Sequence, residues 1–427
     1  MSVEKKVLFW IAVLALVGTV TNFVYFSPLL TLLVPLALFT ATRERMERPV
    51  AWLYLYVLAF LASVLLYHPL SVVEFGFYRR DGNFVISYAP LLVLPLFRFH
   101  FDLEQYFRRF FLFALAIYGL LFARYLVEAW PYYILQLNVF GGLFYAQNAV
   151  GGFLAILGAL SFAYLYHRRR NRELLAFFIV FLMLLATYSR GSILGLICGI
   201  PAWYLADRGY WKSLAVMLLI PVLITAAVLS IGYPYYKSNE AAGTPFGEEI
   251  LYMDADEGDD TKSTNVLLRV FYTMPRAWYA FQHSPVLGTG VGSFDDRPYQ
   301  FTQVLPYLHY NAQTPKRHTD SHAHHSYLHI LAEQGMVGLG VFLTFWVSLF
   351  LYLLRFKRAP VLRDYLLIAF FAITFASFTE HRITTPSMML PFTLSVGLLM
   401  AWRPKGTRYR LQVDDPDEVA GPGEANR

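Results

Sequence analysis

The feature that most limits this chain is a succession of long apolar runs, many close to the roughly 20 residues a helix needs to cross the hydrocarbon core. They fall near 7–26, 27–42, 50–67, 84–97, 110–130, 149–166, 174–189, 191–206, 213–233, 327–354, 365–380 and 386–402. Lipid offers no partner to exposed backbone N–H and C=O groups, so helices and closed barrels alone survive there. Runs of this length select helices, and the chain reads as an all-α integral membrane protein with about 12 transmembrane helices. The joints at Ser27 and Arg190 are tight, and the run at 84–97 is short enough to be partly re-entrant. With 15% charged residues and a mean hydropathy of +0.45, the chain is too apolar for an ordinary soluble domain. Cys198 is the single cysteine and lies inside an apolar run, which excludes a disulfide framework and a Cys-based zinc site.

The net charge of +6 sits in short clusters between the runs rather than on a basic face, so it signals topology and not nucleic acid. Lys and Arg collect in short cytoplasmic loops. With the N-terminus inside, the inner segments are "MSVEKK", "TRERMER", "RFHFDLEQYFRR", "HRRRNRE", "DRGYWK", "RFKRAPVLRD" and "RPKGTRYR", each with at least two basic residues. The opposite turns are poor in them. This register implies an even number of spans and both termini in the cytoplasm. It divides the chain into helices 1–9 over 1–233, an outer loop domain over 234–326, helices 10–12 over 327–402 and an inner tail over 403–427. So long a loop predicts helices of its own. The opening run has the charged start of a secretory signal without a small-residue cleavage site, and reads as a retained helix.

Four groups of polar residues fall on the outer face. Arg190 in "TYSRGS" is open to two readings, a snorkelling anchor or a ligand for an anion at the start of the next helix. Arg269 and Arg276 are seven apart and share a face if one helix runs through Pro275. They are either a solvated face or a pair of guanidinium forks suited to phosphate oxygens. The following "GTGVGSF" lacks the lysine and strand of a nucleotide loop and reads as a turn. Six of the eleven histidines lie at 309–329. His322, His325 and His329 have the spacing of metal ligands on one helical face, but no second cluster supplies the remaining groups. The alternatives are solvent-facing imidazoles at a helix start and a general base. In "TEHRITTP", Glu380 is open to two readings, a functional one in which it orients a histidine or receives a polar substrate group and an interfacial pair with Arg382, with His381 between them. The acidic run at 254–260 lacks the spacing of a calcium loop.

These segments resemble the O-antigen ligase and polymerase superfamily, which includes the protein O-oligosaccharyltransferases. The pattern is His, then Asn, Ser or Gln, nine residues, Gly, two residues and Gly. Here His324 and His325 precede "SYLHILAEQ", Gly335, "MV" and Gly338, with His325 standing where the family has Asn, Ser or Gln. "YSRGSILGL" is similar to the family's Ser-Arg-Gly segment, "RVFYTMPRAWYAFQHSPVLGTGVGSF" to its arginine and "HPLLGVG" stretch, and "YAQNAVGGFLAI" to its Asn-x-x-Gly-Gly helix.

The resemblance implies a GT-C-like glycosyltransferase of the bacterial inner membrane with a large, partly helical periplasmic loop at 234–326. It implies a glycan donor on undecaprenyl pyrophosphate and a lipid A-core acceptor. His324 would be the catalytic base, with Arg190, Arg269 and Arg276 on the pyrophosphate. His322, His325, Glu380, His381 and Arg382 are secondary candidates. The ligase branch fits best; polymerase and protein glycosylase are the alternatives, and a metal or anion transporter is a more distant one. No cofactor and no metal is expected, and transfer is expected to survive chelation.

Overall fold

The computed structural model describes residues 47–74, 83–97, 99–100, 102–129, 139–144, 147–232, 234, 270, 273–294 and 322–403. The two apolar runs before residue 47 and Arg269 lie outside them. Eleven α-helices occur among the described residues: α1 Arg48–Tyr67, α2 Asn83–Val93, α3 Leu103–Ala129, α4 Gln147–Arg168, α5 Asn171–Ala186, α6 Arg190–Asp207, α7 Trp211–Ala227, α8 Met274–His283, α9 Ser326–Arg355, α10 Pro360–Ala376 and α11 Pro386–Ala401. Ten of them coincide with the ten apolar runs beyond residue 47. The other, α8, lies in the stretch read as an outer loop.

Among the described residues, five stretches are long and apolar enough to cross a membrane: Arg48–Tyr67, Leu103–Glu128, Gln147–Arg168, Trp211–Ile231 and Ser326–Arg355. Helix α7 carries the lipid signature most plainly, because Leu214 is its one buried residue while Leu219, Ile220, Leu223 and Ile224 are exposed. A helix apolar on every side with its apolar side chains outward is solvated by hydrocarbon. Helices α10 and α11 are the opposite case, buried almost throughout. Glycine spacing sets how closely α10 is approached: a Cβ at Gly195 of α6 would lie 2.5 Å from the Ala372 carbonyl oxygen, and one at Gly199 2.9 Å from the Ala372 nitrogen. In lipid such small residues let helix backbones meet. The short run at 84–97 resolves into α2 and a 3-10 turn, Leu94–Leu96, buried inside the bundle.

The helices alternate in direction, and the bundle therefore has two chemically different ends. At one end the described basic clusters meet acidic partners: Arg168 with Glu104 at 2.7 Å, Arg363 with Asp207 at 2.6 Å, and His167 with Asp364 at 2.8 Å. A two-residue parallel pairing of Phe99–His100 with Trp402–Arg403 closes this end. The other end gathers the starts of α4, α6, α9 and α11, where helix dipoles are positive.

Helix α9 is broken. Gly335 has φ 62° and ψ −163° inside it, which interrupts the span read from the sequence as continuous over 327–354. The break frees backbone groups, and residues 285–290 use them. Met336 and Val337 N–H donate to the carbonyls of Pro285 and Val286, while Thr289 and Gly290 N–H donate to those of Ala332 and Glu333. The "GTGVGSF" segment is thus a turn clamped on the broken helix.

Candidate functional site

The polar segments singled out by sequence, Arg269 apart, come together at the end opposite the basic clusters. The bolt is Ser326, the first residue of α9: its Oγ donates to the Glu380 carbonyl at 3.0 Å and accepts from the Arg382 N–H at 2.9 Å. Arg382 is buried. Its guanidinium donates to the Asn148 carbonyl at 2.7 Å and to Ser189 Oγ at 3.0 Å, and pairs with Glu380 at 3.1 Å. One side chain therefore joins the starts of α4 and α6 to the turn between α10 and α11. Gly151 and Gly191 allow it, since a Cβ at Gly151 would lie 2.3 Å from Ser189 Cβ and one at Gly191 2.8 Å from Thr379 Oγ1. Of the two readings of Glu380, the pair with Arg382 is present.

Three imidazoles sit beside this bolt. His322, His329 and His381 each offer a ring nitrogen, and the three lie within 4.8 Å of one another. The rings of His322 and His381 stack at 4.2 Å, and His329 meets His381 edge-on at 4.5 Å. His329 Nε2 lies 3.4 Å from Glu333 Oε2. The other oxygen of Glu333 accepts the N–H groups of Gly292 at 3.0 Å and Phe294 at 3.3 Å. Burial, reinforced by the neighbouring histidines and Arg382, holds His381 well below the usual histidine range.

His325 is elsewhere. The helix begins only at Ser326, so His322 and His325 do not share its face with His329. His325 Nδ1 accepts the Leu328 N–H at 3.2 Å, and its Nε2–H faces Thr225 Oγ1 at 3.1 Å. It is the N-cap of α9. Asn and Ser are preferred caps for the same reason, a side-chain acceptor within reach of the first turn; a neutral imidazole supplies one too.

Burial lowers the His325 pKa from 6.5 to about 4. A base held neutral in the fold loses stability as pH falls, because the unfolded chain takes the proton first. Its share, roughly 3 kcal/mol at most, is retained above pH 6.5 and drains away down to about pH 4. His325→Asn keeps the cap and is expected to flatten this part of the pH profile of thermal unfolding. His325→Leu is expected to cost about 1 kcal/mol above pH 6.5, where the wild-type imidazole is neutral in both states, and less as the pH falls.

His324 has φ 48°, a left-handed conformation unusual for any residue but glycine, and is partly exposed. Tyr188, two residues before Arg190, shares that strain with φ 52°. Arg190 opens α6 and is exposed, with no described side chain paired to it. Arg276 is buried: it donates to the Phe294 carbonyl and lies over the Phe294 ring at 4.6 Å, so it holds the loop that grips Glu333. Pro275 falls in the first turn of α8, where its missing N–H costs nothing.

Glu333 is absent from the residues singled out by sequence; Arg124 and Glu128 are also charged residues within an apolar run. Those two are exposed and paired with each other at 2.6 Å. Glu333, a carboxylate four residues after a histidine in an apolar run, was the stronger signal.

The fold and site define a multi-pass α-helical membrane protein with a cluster of histidines and a buried Glu380–Arg382 pair at one end of the bundle. Residues 174–343 match the model of the O-Antigen ligase family, a similarity that supports an enzyme of the general ligase and polymerase type. The match includes Arg190, Arg269, Arg276, His324, Gly335 and Gly338 and stops short of the turn with Glu380, His381 and Arg382. No curated protein matches the chain.

Proposed function

We propose that the protein is an O-antigen ligase of GT-C-like architecture with about 12 spans. It sits in the bacterial inner membrane with both termini cytoplasmic and its site facing the periplasm, and residues 234–326 form the outer loop domain. It moves a glycan from undecaprenyl pyrophosphate to a hydroxyl of the lipid A-core. The observation that carries this reading is the division of labour between adjacent imidazoles. His325 is locked as a helix cap, whereas His324 stands in a strained, partly exposed backbone position at the end where Arg190 opens its helix.

In the proposed reaction the acceptor oxygen attacks the anomeric carbon of the donor with inversion. A new glycosidic C–O bond forms as the bond from that carbon to the pyrophosphate oxygen breaks. The acceptor's proton passes to His324, and the electron pair leaves on undecaprenyl pyrophosphate. Arg190 and Arg269 hold the pyrophosphate and offset its growing charge. The starts of α4, α6, α9 and α11 add positive dipole at the same end. The buried hydrogen bond of Arg276 supports a positioning role on the 288–294 loop, behind the anion rather than on it.

The decisive experiment is deletion of the gene. Polymer lost from lipid A-core while undecaprenyl-linked polymer accumulates fits a ligase; capping by a single repeat would replace this reading with a polymerase, the alternative that shares the donor. Arg190→Lys keeps the charge but loses the planar fork, and transfer by purified protein is expected to fall on the order of tenfold to a hundredfold. An unchanged rate would remove Arg190 from the clamp.

A further inference from the structure

The chain reading expected metal ligands, if any, at His322, His325 and His329; the fold replaces His325 with His381, brought in from a turn more than fifty residues away. We propose that His322, His329 and His381 form a binding site for one divalent transition-metal ion of the zinc type. This does not depend on glycan transfer, whose steps remain with His324 and the arginines. The ion is a clasp, tying the entry to α9 to the turn between α10 and α11.

The tautomer of His329 carries the argument. Glu333 is a carboxylate whose other oxygen already accepts two backbone N–H groups. A carboxylate accepts only, so the hydrogen of His329 resides on Nε2 and faces Glu333. Its Nδ1 is then a bare lone pair, buried and without a hydrogen-bond partner. His381 has a similar environment: its Nε2 is hydrogen-bonded with Thr384 Oγ1, which can accept the ring N–H, while its Nδ1 is buried and has no such partner. The three imidazoles each bring a ring nitrogen within 4.8 Å of the others, and a cation among them would take up lone pairs left without hydrogen-bond partners. A carboxylate or hydroxyl on the far nitrogen is the arrangement that orients imidazoles toward a metal and raises their basicity.

Three imidazoles with no thiolate suit zinc, copper or nickel rather than calcium or magnesium, which take oxygen ligands. Around zinc, with Zn–N of about 2.0–2.1 Å, tetrahedral nitrogens lie about 3.3 Å apart. Closing the 4.8 Å spread to that distance requires one ring of the His322–His381 pair, stacked at 4.2 Å, to turn out of the stack so that its in-plane lone pair points at the shared ion. A fourth position stays open for water or an anionic oxygen, as in three-histidine sites generally.

The test uses full-length, untagged protein in detergent, incubated with Zn²⁺, dialysed and assayed for metal by elemental mass spectrometry. About one zinc per chain is expected. His329→Ala and His381→Ala should each reduce it to background, Glu333→Gln should weaken zinc binding about 10–100-fold, and His325→Asn should leave the stoichiometry unchanged. X-ray absorption at the zinc edge of the wild-type protein should show imidazole nitrogens at about 2.0 Å, a readout that stands if a variant fails to fold. Less than a tenth of a zinc per chain in wild type, an edge spectrum without imidazole scattering, or full stoichiometry in folded His329→Ala would overturn the site.

Discussion

His324→Ala is expected to lower glycan transfer by a factor on the order of 10²–10⁴, the range over which a positioned acid or base accelerates a proton transfer. The loss should appear in kcat, because alanine removes the proton acceptor without touching the pyrophosphate clamp. His325→Asn makes the comparison sharp. Its neighbour caps a helix through a side-chain acceptor that asparagine also has, so transfer should persist in that variant. The readout is a single-turnover assay with a lipid-linked donor and purified lipid A-core. If His324→Ala worked at near the wild-type rate while His325→Asn failed, the roles assigned to the two imidazoles would be reversed.

Gly335→Ala is expected to be among the most damaging single-methyl changes in the described residues. Two costs fall on the same atom. The φ of 62° is strained for any residue with a side chain, and the added Cβ would lie 2.3 Å from the Val286 carbonyl oxygen, a backbone atom that cannot swing aside. Together they should destabilise the protein by several kcal/mol, at the upper end of single substitutions. The clamp between residues 285–290 and the broken helix would open, taking with it the loop that holds Glu333. Gly340 on the same helix is the control, since a Cβ there meets nothing within 4 Å. Gly340→Ala should be neutral or stabilise by about 1 kcal/mol, the ordinary preference of a helix for alanine. Thermal unfolding in detergent, followed by size-exclusion, reads both; equal behaviour of the two variants would contradict the structural role given to Gly335.

The glycine pattern that resembles that of the O-antigen ligase family is thus explained by backbone geometry. Gly335 permits a left-handed break, and Gly288, with φ 73°, lets the turn approach it: a Cβ there would lie 2.2 Å from the Glu333 carbonyl carbon. Gly338 makes room for Gln334, which reaches Tyr56 Oη at 3.0 Å across the bundle. The pair of glycines shapes the element on which His329 and Glu333 stand.

Reading the helices required only local information. Ten apolar runs became ten helices because burying or lipid-solvating some twenty apolar side chains needs no knowledge of the neighbours. The gathering of the described basic segments at one end follows the same logic, since charge placement between spans is written into the loops. The break at Gly335 was not legible, because a glycine in an apolar run is tolerated as often as it bends the chain, and only the docked 285–290 segment shows which.

Composition and periodicity by themselves determined that this chain is a helical membrane protein with its ionisable residues clustered near span ends, because hydrophobic free energy is summed along the chain. The tertiary structure alone decided which imidazoles meet. His325 lies nearer in sequence to His322 and His329 than His381 does, yet it faces Thr225 while His381 joins them. Which ring faces which depends on where α9 begins and on the Ser326 bolt to a distant turn, and contacts between remote segments leave no period in a sequence.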